Sequence, residues 1–202
     1  MKKEEKIGII ILAGGSSMRL GRPKQLLSFQ DSCLLKRLVV EALAVPNTIT
    51  LVVTGFKSDI ITPEIADTGV HTVFNADWQD GMASSIQTGL QTLKELLPNL
   101  DSCILSVCDQ PYVTRDVFKA LIKAHVHSGH ELIASAYADT LGTPALFRRN
   151  YFKDLMLLHG REGAKKIFMQ YPEDVFAIPF EKGAVDIDTE EDYINLIKSE
   201  TV

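Results

Sequence analysis

Short apolar runs alternate with amphipathic stretches along the whole chain. Residues 7–13 are almost entirely isoleucine, leucine and alanine and end at a glycine pair, which predicts a buried strand. The same kind of run predicts six further strands, over residues 48–54, 70–74, 103–108, 131–136, 143–147 and 175–178.

Between these runs, apolar residues recur every three or four positions and predict helices. The predicted helices are one capped by Asp31, one with a stripe from Met82 to Leu97 that ends at Pro98, one capped by Thr114, a short one over residues 163–169, and a last one opened by a capping box of Thr189 and Asp192. Strands that alternate with helices indicate a three-layer, Rossmann-like α/β fold, with a mainly parallel sheet and helices on both faces. Residues 137–163 are less regular and predict a lobe over the sheet.

Composition and charge narrow the class of protein. The chain has 202 residues, of which 46% are hydrophobic and 23% charged, so we expect a single folded domain over residues 1–202 rather than a disordered or fibrous protein. The net charge of −5 argues against a nucleic-acid or membrane-surface partner. Three cysteines without C-x-x-C spacing favour the cytoplasm, and Glu4 and Glu5 interrupt the basic start that a signal peptide would need.

The loop after the first strand carries the clearest chemical signal. Residues 12–24 read LAGGSSMRLGRPK, which fits neither the P-loop nor the Rossmann glycine pattern. Gly14 and Gly15 let the backbone approach a ligand, and Arg19, Arg22 and Lys24 supply three cations. The segment therefore predicts a cradle for a triphosphate, and the alternative is a mobile surface loop with solvated charges.

Carboxylates follow two distant apolar runs. Asp109 comes directly after a predicted strand, and Asp186 and Asp188 lie two residues apart near the carboxyl end of the chain. Mg²⁺ is often held by one or two carboxylates together with substrate phosphates, so these aspartates predict a magnesium site. The alternative is that Asp109 caps a turn and that Asp186 or Asp188 has a structural role.

Five segments in order resemble the motifs of MobA-like nucleotidyltransferases, which include the molybdenum cofactor guanylyl- and cytidylyltransferases. They are LAGGSSMRLGRPK at residues 12–24, NADWQDGMASSI at 75–86, CDQP at 108–111, GTPALF at 142–147 and DIDTEED at 186–192. The resemblance covers essentially the whole chain and implies a nucleotide-diphospho-sugar transferase-like fold. It also implies Mg²⁺-dependent transfer of a nucleoside monophosphate from CTP or GTP to a phosphorylated acceptor, with molybdopterin favoured, and release of pyrophosphate.

The resemblance assigns a role to each candidate site residue. Arg19, Lys24 and Asp109 are implied to be catalytic, and Asp109, Asp186 and Asp188 to hold the metal, with Asp188 preferred over Asp186. The nucleotide is expected to contact Leu12, Ala13, Gly14, Gly15, Lys24, Asn75, Gly81, Ser84 and Ser85.

Departures from the family pattern keep two other functions open. Arg161 stands where the family has aspartate and Ala83 where it usually has serine, as expected of a nucleotide- or pterin-binding accessory protein that delivers cofactor to a molybdenum enzyme. A sugar-phosphate nucleotidyltransferase is the other alternative. The resemblance barely distinguishes CTP from GTP as the nucleotide substrate. Gly14 matches the guanylyl form of the loop, whereas residues 23–27, PKQLL, resemble the cytidylyl form and place CTP slightly ahead.

Overall fold

The first apolar run is an internal strand of a seven-stranded sheet in the computed structural model, which describes residues 5–200. The start of the chain, with Lys2, Lys3 and Glu4, was considered above in relation to a signal peptide and lies outside the described residues. The strands are β1 (Ile7–Ala13), β2 (Ser28–Phe29), β3 (Ser32–Cys33), β4 (Thr48–Thr54), β5 (His71–Phe74), β6 (Ser102–Val107), β7 (Leu132–Tyr137), β8 (Thr140–Arg148) and β9 (Val175–Pro179). The helices are α1 (Leu34–Leu43), α2 (Ser58–Ile61), α3 (Met82–Leu96), α4 (Arg115–Ser128), α5 (Phe152–Met156), α6 (Ala164–Gln170) and α7 (Glu190–Glu200).

The large sheet is mostly parallel, as predicted. Its strand order is β5-β4-β1-β6-β8-β7-β9, and β8 runs antiparallel to both of its neighbours. β1 pairs in parallel with β4 on one side and β6 on the other, so the carboxyl ends of these three strands share one edge. Ligands of open α/β sheets bind at such an edge.

Both faces of the sheet are covered by helices, which explains why β1 is uninterrupted apolar sequence. Ile10 packs in one core with α3 residues such as Ile86, whereas Ile9 and Ile11 pack in a second core with α1 residues such as Leu35. Successive strand residues point to opposite faces, so a strand buried on both faces has no polar position.

A third apolar cluster brings the end of the chain back to the loop after β1. Ile187 is fully buried with Leu20, Phe29 and Leu196. Because Ile187 lies between Asp186 and Asp188, its burial fixes both carboxylates beside this loop.

Two local features differ from the prediction. Asp31 does not cap α1, because β2 and β3 form a small hairpin and the chain reaches the helix only at Cys33, whose sulfur accepts a hydrogen bond from the Lys36 N–H. In the less regular region 137–163, the strand predicted over residues 143–147 is confirmed as part of β8, but it begins earlier than predicted, after a tight turn at Ala138 and Asp139.

The predicted capping box at the last helix is confirmed. The Asp192 N–H donates to Thr189 Oγ1 at 3.2 Å, and the Thr189 N–H donates to Asp192 Oδ2 at 2.8 Å. Among the helices within residues 5–200, none combines the length and the apolar character needed to span a bilayer.

Candidate functional site

A cavity of about 870 Å³ opens at the carboxyl ends of β1, β4 and β6. Seven of the predicted site residues line it, namely Leu12, Gly14, Gly15, Lys24, Gly81, Ser85 and Asp109. The other predicted residues are Ala13, Arg19, Asn75, Ser84, Asp186 and Asp188, and the cavity wall does not include them.

The loop after β1 presents unpaired backbone donors. Within residues 5–200, the N–H groups of residues 15–18 donate to no protein acceptor. Ser17 has a left-handed φ of 51°, and its carbonyl accepts from the N–H groups of Leu20 and Gly21, which closes the turn. Consecutive free N–H groups in a tight turn form a concavity suited to an anion.

A buried glutamine that the sequence analysis missed holds this loop in place. Gln25 is completely buried, and its amide donates to the carbonyls of Ala13 at 2.7 Å and Gly15 at 3.1 Å. Nothing in the sequence distinguishes Gln25 from a surface residue, because its burial depends on the loop folding back over it.

Lys24 is the centre of the site. Its Nζ donates to Asp109 Oδ2 at 2.6 Å, to Asp188 Oδ1 at 2.9 Å and to the carbonyl of Ile187 at 3.3 Å. The Lys24 side chain is only 13% exposed. Burial disfavours the ammonium, yet Asp109, with further help from Asp188, raises the pKa of Lys24 above its ordinary value. Lys24 is therefore a fixed positive charge at every physiological pH.

The two neighbouring aspartates differ in their electrostatics. Burial opposes the ionisation of Asp188, but the hydrogen bond and charge of Lys24, together with Arg19, lower its pKa below the ordinary value. Burial and the charges of Asp109 and Asp188 raise the pKa of Asp186. Asp188, not Asp186, is thus the carboxylate that the cations hold ionised.

Arg19 and Arg22 are both cations of the loop after β1, but their surroundings differ. Arg19 pairs with Asp188 at 2.5 Å and so joins the Lys24 cluster. Arg22 instead binds both carboxylate oxygens of Glu190, at 2.8 and 2.9 Å, and lies over the Tyr193 ring. Only Arg19 of this pair is connected to the cavity.

Residues at the start of α3 form another part of the cavity wall. Gly81 has a φ of +105°, and a Cβ there would overlap the Gly160 carbonyl oxygen, which accepts from the Ala83 N–H at 3.0 Å. Asn75 is buried, and its amide donates to the hydroxyls of Ser84 at 2.9 Å and Ser85 at 3.0 Å. Asn75 and Ser84 therefore support the wall from behind, whereas Ser85 lines the cavity.

The wall also contains residues that were not among the predicted site residues, and those with aromatic or cationic side chains are Phe56, Lys57, Trp78 and Arg161. Phe56 and Trp78 pack with ring centroids 5.4 Å apart, and a Cβ at Gly55 would lie 2.6 Å from the Trp78 Cβ. The sequence did offer one signal for this part of the wall. Gly55 directly follows β4 and so marks the end of the strand that lies next to β1.

The oxygens around Lys24 suit a hard cation. Within residues 5–200, no three His, Cys, Asp or Glu side chains group so as to hold a metal. Asp109 and Asp188 supply two carboxylates, with the Ile187 carbonyl beside them. Mg²⁺ is commonly held in this way, with substrate phosphates and water completing its octahedron.

Comparisons with known proteins identify a family for this chain. Residues 9–175 match the MobA-like NTP transferase domain. The molybdenum cofactor cytidylyltransferase of Escherichia coli K12 is 26% identical over 116 residues, which span only 57% of this chain and 57% of that enzyme.

Solved structures extend the similarity to nearly the whole chain. Rv0371c from Mycobacterium tuberculosis H37Rv is 28% identical with a TM-score of 0.82, over 96% of this chain and 98% of that chain. Its complex with manganese gives 25% and 0.77, over 96% and 99%. The 4-diphosphocytidyl-2C-methyl-D-erythritol synthase of Anaerococcus prevotii, at 15% identity and a TM-score of 0.78 over 98% and 97%, shares the fold. The nucleotide-diphospho-sugar transferase-like fold is thus confirmed.

Proposed function

The chain belongs to the MobA-like NTP transferase family, and we propose that it transfers a nucleoside monophosphate from CTP to molybdopterin, with release of pyrophosphate. The observation that carries the proposal is the convergence of Lys24, Asp109 and Asp188 at the open edge of the sheet. These three charges come from separate parts of the chain and serve no hydrophobic core. They meet beside the loop after β1, where the N–H groups of residues 15–18 donate to no protein acceptor within residues 5–200.

The choice of base and acceptor is supported by one relative. The Escherichia coli protein that aligns with part of this chain is a molybdenum cofactor cytidylyltransferase. Residues 23–27, PKQLL, also resemble the cytidylyl form of the loop, whereas Gly14 resembles the guanylyl form. GTP is therefore the second nucleotide to be tested.

The reaction requires alignment and charge stabilisation rather than a covalent intermediate. An oxygen of the acceptor phosphate attacks the α-phosphorus, a new P–O bond forms, and the bond from the α-phosphorus to the bridging oxygen of pyrophosphate breaks. The free N–H groups of residues 15–18 and the charges of Arg19 and Lys24 bind the departing pyrophosphate oxygens. Gly14 and Gly15 let the nucleotide lie against the backbone.

Asp109 and Asp188 are the residues that would hold magnesium. Bound there, the ion would offset the negative charge of the phosphates. Lys24 must release at least one of these carboxylates, since their oxygens lie 2.6 and 2.9 Å from its Nζ. The triphosphate can replace them as the partner of Lys24, because its oxygens carry the same kind of charge.

A pyrophosphate-release assay tests the proposal. The protein is mixed with Mg²⁺, molybdopterin and each of the four nucleoside triphosphates in turn, and we expect turnover with CTP. A parallel series replaces molybdopterin with sugar 1-phosphates. Turnover only in that series would replace the proposal with a sugar-phosphate nucleotidyltransferase. Nucleotide-induced thermal shifts without any product would replace it with an accessory binding protein.

A further inference from the structure

Gln110 is a buried polar residue of the CDQP segment at residues 108–111, and it directly follows Asp109. Its side chain is only 4% exposed and does not line the cavity at the carboxyl ends of the strands. A glutamine in this position has no surface on which to bind a substrate. Any part that Gln110 has in the reaction must therefore act through its neighbours.

Both ends of the Gln110 amide have partners. Nε2 donates to the Gly183 carbonyl at 2.9 Å and to the Tyr137 hydroxyl at 3.3 Å. Oε1 accepts from Thr143 Oγ1 at 3.2 Å. A carbonyl can only accept, so the contact with Gly183 fixes which end of the amide carries the nitrogen. Because the buried amide is satisfied at both ends, it is held in a single orientation.

Gly183 is itself fixed against the sheet. It belongs to a short helical turn, Glu181–Ala184, after β9. Its N–H donates to the Phe180 carbonyl at 2.8 Å, and the Phe180 N–H donates to the Ala136 carbonyl of β7 at 2.9 Å. A Cβ on Gly183 would lie 2.6 Å from ring atoms of both Phe180 and Tyr137, so only glycine fits there. The carbonyl that Gln110 binds thus has little freedom to move.

The contact between Gln110 and Gly183 is one of two attachments between the segments that carry the carboxylates. The other is the Ile187 N–H, which donates to the Asp109 carbonyl at 3.0 Å. With one attachment, the segment that leads to Asp188 could pivot about Ile187. Two attachments fix its direction as well as its position, and so they fix the separation of Asp109 and Asp188.

This separation matters because magnesium is exacting about its ligands. Mg²⁺ requires near-ideal octahedral geometry with oxygens at about 2.0–2.1 Å, so a small displacement of either carboxylate weakens binding. Groups that hold metal ligands in place, without touching the metal, typically contribute about 10- to 100-fold in metal affinity or activity.

We infer, on the basis of the function proposed above, that Gln110 is a positioning residue that sets the separation of Asp109 and Asp188. Its backbone continues from Asp109, and its side chain binds the turn that leads to Asp188. Thr143 keeps the Gln110 amide facing Gly183.

Mn²⁺ binding tests this role without relying on catalysis. Electron paramagnetic resonance of free Mn²⁺ gives the Kd for nucleotide-free Lys24→Met, in which no ammonium neutralises the two carboxylates. In that background, Gln110→Met keeps the length of the side chain and removes its polar atoms, and we expect it to raise the Kd by about tenfold. Thr143→Val is a milder change that keeps the amide but removes the hydroxyl that orients it, and it should raise the Kd by about three- to fivefold.

Ser135→Ala is the matched control. Ser135 is fully buried on β7, and its Oγ donates to the Pro144 carbonyl of β8 at 2.7 Å. Its loss also removes a buried hydrogen bond, but not one that joins the segments of Asp109 and Asp188. The Kd for Mn²⁺ should stay within about twofold of the background value. Thermal midpoints check that each variant is folded at the assay temperature.

A double-mutant cycle shows whether Gln110 acts through the carboxylates. Asp188→Asn removes one of the proposed ligands, so its separation from Asp109 no longer affects the metal. In combination with Asp188→Asn, Gln110→Met should change the Kd for Mn²⁺ by less than about twofold. If Gln110→Met does not fold, Thr143→Val takes its place in the same cycle.

Three outcomes would overturn the inference. One is an equal loss of Mn²⁺ affinity from Gln110→Met with and without Asp188→Asn, which would show that Gln110 supports the fold in general. Another is an equal effect of Gln110→Met and Ser135→Ala. The third is the absence of Mn²⁺ binding to Lys24→Met, because there would then be no metal site to position.

Kinetics separate this inference from the proposed function. With Lys24 intact, Gln110→Met should lower kcat by about tenfold and raise the Mg²⁺ concentration needed for half-maximal rate. If turnover occurs and Gln110→Met keeps the wild-type kcat and Mg²⁺ dependence, the transferase function stands and the positioning role is wrong. If no acceptor gives product but the Mn²⁺ affinity depends on Gln110 only when Asp188 is present, the positioning role stands and the transferase function is wrong.

Discussion

Lys24 and Asp109 form a salt bridge 2.6 Å long between residues separated by 85 positions in the sequence. The same Lys24 Nζ lies 2.9 Å from Asp188 Oδ1. In the absence of substrate, this ammonium therefore occupies the point between two carboxylates at which a bridging cation would bind. Lysine and metal compete for one set of oxygens.

This competition predicts how metal binding responds to a change at Lys24. In Lys24→Met, Mn²⁺ without nucleotide should bind about tenfold or more tightly than in the wild-type protein, because no ammonium neutralises Asp109 and Asp188. Transfer activity should fall by about 10²–10³-fold, since the charge that stabilises the leaving pyrophosphate is lost. Electron paramagnetic resonance of free Mn²⁺ measures the affinity.

The matched control is Lys57→Met, because Lys57 lines the same cavity but pairs with neither carboxylate. Its Mn²⁺ affinity should equal that of the wild-type protein. Equal Mn²⁺ affinity in Lys24→Met and the wild-type protein would show that the two carboxylates do not form the metal site.

The two arginines of the loop after β1 should differ in importance. Arg19→Ala should lower transfer activity by about 10²-fold, because Arg19 belongs to the Lys24 cluster through Asp188. Arg22→Ala removes an exposed pair with Glu190 and should change activity by less than about twofold. Steady-state rates at saturating CTP and Mg²⁺ measure both, and equal losses in the two variants would contradict the assignment.

Gly81 should tolerate no side chain. Gly81→Ala places a Cβ at a φ of +105° and against the Gly160 carbonyl, so we expect it to destabilise the fold by more than about 3 kcal/mol. Gly129→Ala is the control, because Gly129 also has a positive φ, of +75°, but open space around its Cα. It should cost only about 1–2 kcal/mol. Urea unfolding measures both, and similar midpoints would show that the contact with Gly160 is dispensable.

The capping box predicts a pH-dependent contribution to stability. Hydrogen bonds from Thr189 lower the pKa of Asp192 below its ordinary value of 3.8. The ionised carboxylate therefore stabilises the folded state above about pH 4, and this contribution is lost as the pH falls through the lowered folded-state value. Asp192→Ala should cost about 1 kcal/mol at pH 7, as the loss of a helix cap usually does.

Thermal unfolding from pH 7 to pH 2 checks this expectation, and the difference between Asp192→Ala and the wild-type protein should shrink towards the acid end. Glu191→Ala is the control, since the Glu191 side chain is exposed and, within residues 5–200, has no hydrogen-bonding or ionic partner. It should change stability by less than about 0.5 kcal/mol at any pH. A pH-independent difference for Asp192→Ala would contradict an ionic cap.

The sheet could be predicted because its signal is local. β1 and β4 are buried on both faces, so their apolar runs are continuous and end at glycine, and the structure places both strands within the predicted bounds. The β2–β3 hairpin escaped prediction because each strand has only two residues and neither forms a periodic pattern. Its turn, at Gln30 with a φ of 54°, moved the start of α1 from Asp31 to Cys33.

The sequence by itself determined the order of strands and helices, and which residues follow each strand, because side-chain periodicity and turn chemistry act over a few neighbouring positions. Only the tertiary structure decided that Lys24 lies against Asp109 and Asp188, that Arg22 pairs with Glu190 instead, and that Asn75 and Ser84 stand behind the cavity wall. The reason is physical: these contacts depend on burial of Ile187 beside Leu20, and on strand pairing between segments tens of residues apart. No local pattern contains that information.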